Sequence, residues 1–93
     1  MRVRRYSEPY HPLVITPGQI RAARALIGWQ QKDLAVQAGI SEMTIKNIEQ
    51  GRTDPRSSSL TAIQKALDDG GVVFLQPGDM RGGGAGVRLK SAD

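Results

Sequence analysis

The side chains of this sequence that could do chemistry are concentrated between Gln31 and Arg56, and that chemistry is hydrogen bonding and charge pairing rather than bond breaking. From Glu42 to Gln50 the chain reads Glu-Met-Thr-Ile-Lys-Asn-Ile-Glu-Gln. On a helix, at about 100° per residue, Ile45 and Ile48 share one face while Met43, Lys46, Asn47 and Gln50 point the other way. Glu42 and Thr44 flank them at the N-terminal end. Such a face sets an ammonium, an amide, a carboxylate and a thioether in fixed order, which suits reading a pattern of donors and acceptors on a partner. Catalytic constellations are missing. The chain has no cysteine and one histidine, His11, which excludes disulfides, thiolate nucleophiles and thiolate or multi-histidine metal sites. His11 has no carboxylate or nucleophile at motif spacing. Gly82-Gly83-Gly84-Ala85-Gly86 lacks the strand-turn-helix context and the Lys-Ser/Thr signature of a phosphate loop. No enzyme activity, metal or cofactor is expected.

Two further residues are set apart by where their charges fall. Arg24 sits within the apolar face of Ile20, Ala23 and Ile27, and Glu49 sits beside Ile45 and Ile48. Opposite charges facing one core should pair, since leaving either alone costs ~3–5 kcal/mol. The alternative is two solvated surface charges.

The elements that must position these residues follow from caps, stops and periods. Residues 1–15, with Pro9 and Pro12 and no helical period, read as a basic arm. Thr16-Pro17-Gly18-Gln19 combines a cap, a proline at the first helical position and the glutamine of a capping box. The helix it starts is stopped by Gly28. A second helix runs from about Gln30 to Ala38, with Leu34, Ala35 and Ala38 inward and Gly39 as its stop. Ser41 caps a third over 42–50, stopped by Gly51. After the loop Arg52-Thr53-Asp54-Pro55-Arg56, Ser57 or Ser58 caps a fourth through Asp69, with Leu60, Ile63 and Leu67 inward. Asp68 and Asp69 stand against that helix's dipole. Gly70-Gly71 breaks it. Val72 to Leu75 is a β run, and 86–90 alternates weakly. These strands pair within one chain or across two, and an isolated ribbon is marginal in water. Trp29 and Phe74 read as core or partly buried interface.

Length and charge agree with one small domain. The 93 residues leave no room for two cores. Lys and Arg number 13 against 9 Asp and Glu, a net +4, and the excess lies in the first 56 residues, since 57–93 balance to zero. Any anion-binding surface should be in that part. No apolar run is long enough to span a membrane, and Leu13-Val14-Ile15 is too short for a signal-peptide core. An intracellular, cytoplasmic protein is expected.

Within Gln31–Gln50, Ala35 is the fifth residue, Gly39 the ninth and Ile45 the fifteenth. Two helices crossing steeply through a short turn need a small residue at the contact, a residue tolerant of positive φ in the turn, and a branched apolar residue to lock the second helix. Ala35, Gly39 and Ile45 meet those needs, with Leu34, Ala38, Ile40 and Ile48 at the other inward positions. This is the spacing of a helix-turn-helix. The stretches 20–24, 28–35, 38–41 and 44–51 resemble the Cro and phage-repressor-like helix-turn-helix regulators. The resemblance covers 16–69 and implies a mainly α, compact bundle of four or five helices that binds operator DNA, usually as a dimer. The 70–93 segment, with its Gly-Val…Gly-Val-Arg-Leu ending, resembles the β tail of some small bacterial members and is a candidate dimerisation element. Gln30 departs from the pattern, standing where many relatives carry a Ser or Thr cap.

On this reading the 42–50 helix enters the major groove. Asn47 can bond adenine bidentately, Lys46 can reach guanine, Met43 can touch a thymine methyl, and Glu42 can accept from cytosine, with Thr44 beside them. The resemblance also implies that Gln31, at the start of the second helix, donates to the DNA backbone with Lys32 beside it. Gln50, Arg52, Thr53 and Arg56 form a second phosphate clamp. It points to the same Arg24–Glu49 pair. Arg2, Arg4 and Arg5 read as a solvated arm, or as added non-specific affinity. The expected function is a sequence-specific transcriptional regulator. The alternatives are an antitoxin that binds its own operator and covers a toxin with its tail, and a protein-interaction module that has abandoned DNA.

Overall fold

The computed structural model describes residues 15–79 and 82–91 as four helices followed by a two-stranded ribbon. The first helix, α1 (Pro17–Ile27), starts at a reciprocal cap. Thr16 Oγ1 accepts from the Gln19 backbone N–H at 3.0 Å, and Gln19 Oε1 accepts from the Thr16 N–H at 2.8 Å. Ile15, placed with the arm by the sequence reading, is 4% exposed and belongs to the core. Arg2, Arg4, Arg5 and His11 lie outside the described residues.

The second helix, α2 (Gln31–Ala38), begins one residue later than expected. Gln30 is its N-cap, and no side-chain cap stands there. Instead Asp33, in the first turn, accepts from the Gln30 N–H at 2.8 Å. That carboxylate supplies the reciprocal half of a capping box, satisfying the N–H of the N-cap residue, and favours the positive helix terminus. The third, α3 (Glu42–Glu49), is capped by Ser41, whose Oγ accepts from the Thr44 N–H at 3.1 Å. It stops one residue short of the expected 42–50, and Gln50 is its C-cap.

The first three helices end alike. At the end of α2 the Gly39 N–H donates to the Val36 carbonyl and the Ile40 N–H to the Ala35 carbonyl. Gly39 has φ +70°, which a side chain would disfavour. The same pair of bonds closes α1 at Gly28 and Trp29, and α3 at Gly51 and Arg52. Trp29 and Ile40, which follow the stops, then fold back onto the core.

The fourth helix, α4 (Ser57–Asp69), corrects an expected cap. Its N-cap is Arg56 rather than Ser57 or Ser58, because the Arg56 carbonyl accepts from the N–H groups of Ser59 and Leu60. The serines thus lie inside the first turn. The two aspartates at its end are met by lysines. Lys65 reaches Asp69 at 2.9 Å and Lys90 reaches Asp68 at 3.4 Å. The hydrogen bond to Asp69 holds the Lys65 ammonium above its ordinary pKa.

Strands β1 (Val72–Leu75) and β2 (Gly86–Leu89) pair antiparallel within the chain, Val72 opposite Leu89 and Phe74 opposite Val87. Of the two pairings the sequence left open, the single chain forms the one within itself. Val72 is fully buried with Ile20, Leu34, Ile45, Ile63 and Leu67, while Phe74 and Val87 pack against that cluster. The ribbon is therefore held by the helices, which is how a two-stranded sheet escapes its marginal stability alone. Gln19 makes the link. Its Nε2 donates to the Leu75 carbonyl at 3.0 Å and to the Gly86 carbonyl at 2.9 Å, the two residues that face each other at the ribbon's end. No helix among the described residues is long and apolar enough to cross a membrane.

Gln19→Leu removes both donors and half of the α1 cap while leaving a side chain of similar size. The expected loss is roughly 1–3 kcal/mol, read from urea unfolding. An unchanged unfolding midpoint would mean that the ribbon is held by apolar contact alone.

Candidate nucleic-acid interface

The candidate interface is built on α3, whose two sides have opposite character. Ile45 and Ile48 are buried, and Ile45 is wholly so. Glu42, Met43, Lys46 and Gln50 are exposed, and Asn47 is half-buried beside them. Met43 is 61% exposed despite its apolar side chain, so it offers unpaired apolar surface within a polar face. Thr44 differs from its neighbours. It is half-buried, its hydroxyl accepts from Ser41 Oγ at 2.8 Å, and it lines a cleft with Ile40, Ile48, Thr53 and Arg56. Thr44 thus borders the loop before α4.

Glu49 closes the inner side of α3. It is 2% exposed, yet every part of it is engaged. Arg24 Nε lies 2.7 Å from Glu49 Oε2, and Arg24 Nη2 donates to Oε1 at 2.8 Å, a two-point contact between guanidinium and carboxylate. Gln31 Nε2 donates to the same Oε1 at 3.0 Å. Arg24 Nη1 turns to the Trp29 carbonyl at 3.0 Å, just past the end of α1. Arg21 Nη1 donates to the Glu49 backbone carbonyl. One residue of α3 is thus held by two arginines of α1 and by the first residue of α2.

Two features of this arrangement were not read from the sequence. One is Arg21, whose position three residues before Arg24 puts both on one side of α1. Gln31 was expected to face DNA, and one of its amide hydrogens turns inward to Glu49. Its other amide hydrogen has no partner among the described residues.

The remaining candidates lie at the rim. Lys32 is exposed at the start of α2, in a shallow cleft with Val36, Ile40 and Glu42. Gln50, Arg52, Thr53 and Arg56 are exposed along the exit from α3. The Gly51 stop sets their course, since Arg52 donates its N–H back to the Asn47 carbonyl at 3.0 Å. Among the described residues, Lys32, Lys46, Arg52 and Arg56 take part in no ion pair, whereas Lys65 and Lys90 are paired with acids at the far end of α4. Of the six described cations outside any ion pair, these four lie around α2, α3 and the loop that follows, while Arg21 lies on α1 and Arg88 on β2. No group of acids and histidine among the described residues could hold a metal.

A family model described as helix-turn-helix matches residues 20–68, more than half of the chain. No curated protein sequence matches the chain.

Removing the carboxylate at Glu49 leaves Arg24 and Gln31 without their shared acceptor. Glu49→Ala is expected to cost about 3–5 kcal/mol, measured by equilibrium denaturation. Wild-type stability in this variant would show that the pair is no more than a solvated contact.

Proposed function

The chain belongs to the phage-repressor-like helix-turn-helix family of DNA-binding regulators, and from that premise we propose that it recognises a specific DNA sequence by laying α3 in the major groove. The observation that carries this reading is the two-sided character of α3. Ile45, Ile48 and Glu49 are spent on the interior, so Glu42, Met43, Lys46 and Asn47 are left with no internal duty. In the groove, Asn47 would pair with adenine, Lys46 with guanine, Met43 with a thymine methyl and Glu42 with the cytosine amino group. Thr44 would serve at the edge of this set, donating from the hydroxyl that its cap partner leaves free.

Phosphate contacts flank the helix. Gln31 presents its second amide hydrogen, and the N-terminal amides of α2 lie beside it. Lys32 adds charge there, and Gln50, Arg52, Thr53 and Arg56 take the backbone on the other side. These contacts fix register but carry no sequence information. The protein would act as a dimer on an inverted repeat, its two α3 helices set about 34 Å apart, one turn of the duplex. Bound near a promoter, it would exclude polymerase or recruit it.

The test is fluorescence anisotropy with the DNA upstream of its own gene, against random DNA, across a salt series. Tight upstream binding above the random control supports the reading, and no binding to either at low salt overturns it. Two substitutions separate the roles. Asn47→Ala should cost ~1–3 kcal/mol at one base pair and relax specificity there. Arg52→Ala should weaken binding to all sequences alike and reduce the salt slope by about 1.

A further inference from the structure

We propose that Arg21 is a phosphate-binding residue, which extends the DNA contact from the exit of α3 onto α1. The inference rests on the DNA-binding reading above. It starts from where the Arg21 guanidinium is held. One nitrogen, Nη1, donates to the carbonyl of Glu49, the residue immediately before Gln50 and three before Arg52. The Ile48, Asn47 and Lys46 carbonyls at this helix end are satisfied by backbone N–H groups of Gly51, Arg52 and Gln50. The Glu49 carbonyl has Arg21.

That bond fixes the guanidinium without neutralising it. A carbonyl is a dipole, and a guanidinium carries five N–H donors in a planar fork. Among the described residues no carboxylate pairs with Arg21. Its neighbour Arg24 is a contrast. There Nε and Nη2 are spent on the Glu49 carboxylate and Nη1 on the Trp29 carbonyl. Arg24 is a structural cation with its charge cancelled. Arg21 is exposed, carries its full charge and keeps donors to spare at the end of α3, from which Gln50 and Arg52 follow in sequence.

A planar fork with free donors, anchored at the helix end that leads into Gln50 and Arg52, suits a phosphodiester oxygen pair. Pre-anchoring on Glu49 removes part of the rotamer entropy that a long surface side chain loses on binding. The contact also couples the two roles, because the group that takes the phosphate caps the helix that would read the bases.

The experiment is a salt series with two probes, the duplex upstream of the protein's own gene and a random-sequence duplex of equal length. Arg21→Gln is compared with Arg88→Gln, which removes a cation from β2, and with Arg21→Lys. The expected result for Arg21→Gln is a salt slope smaller by about 1 on both duplexes, with affinity down about eightfold at about 0.1 M salt. Arg88→Gln should leave the slope unchanged, and Arg21→Lys should keep it. An unchanged slope in Arg21→Gln overturns the proposal and leaves Arg21 as a cap on α3. An equal fall in Arg88→Gln overturns it too, because net charge would then explain both. Should the neutral variant fail to fold, a reduced slope in Arg21→Lys overturns it and a retained slope supports it. Wild-type protein that binds neither duplex at low salt fails the DNA-binding reading itself, a different outcome from binding with an unaltered slope.

Discussion

A carboxylate removed from water needs donors on both of its oxygens, and at Glu49 that requirement organises the domain. Meeting it draws Arg24 from α1 and Gln31 from α2 to one point on α3. A buried ion pair is a poor source of net stability, since well-packed apolar residues would often do as well. What it supplies here is direction. Apolar contact through Ile45 and Ile48 would tolerate small rotations of α3 about its own axis. A two-point guanidinium–carboxylate contact does not, because both bonds lose geometry together. The outward face of α3 inherits its angle from that inward contact.

The stops on the helices serve the same end. Glycines close α1, α2 and α3 with the same two backbone bonds, so each helix has a defined length and the chain leaves each at a defined angle. Trp29 and Ile40 then return to the core and fix the turns from beneath. Orientation at Glu49 and termination at the glycines together leave little play in how α2 and α3 cross.

The helical framework was legible because its signals are local. A cap such as Thr16 or Ser41 and a stop such as Gly39 or Gly51 act within a few residues of themselves. The Arg24–Glu49 contact was open to reasoning for another reason, since an isolated charge on an apolar face needs an opposite charge on the face it meets. Where the sequence misled, local rules competed. Ser57 or Ser58 looked like a cap for α4, yet the N-cap is Arg56 and the serines join the first turn. Bonds to backbone carbonyls left no trace at all. Nothing in the sequence states that Gln19 reaches Leu75 and Gly86, or that Arg21 reaches Glu49, because a carbonyl is present at every residue and only the fold chooses one. The pairing of β1 with β2 was unreadable on similar grounds, since neither strand carries a tight turn that would set its register.

Gln19 holds the ribbon where the two strands part toward the loop, with both opposed carbonyls on one amide nitrogen. The loop beyond it is thereby separated mechanically from the helices. Extra residues placed between Pro77 and Ala85 would add closure entropy that rises only with the logarithm of length, about 0.6 kcal/mol for each doubling. The strain would end at the Gln19 clamp before reaching α3. The chain thus has a site where its length can drift over evolutionary time, or where a foreign peptide can be inserted, while the helices keep their geometry.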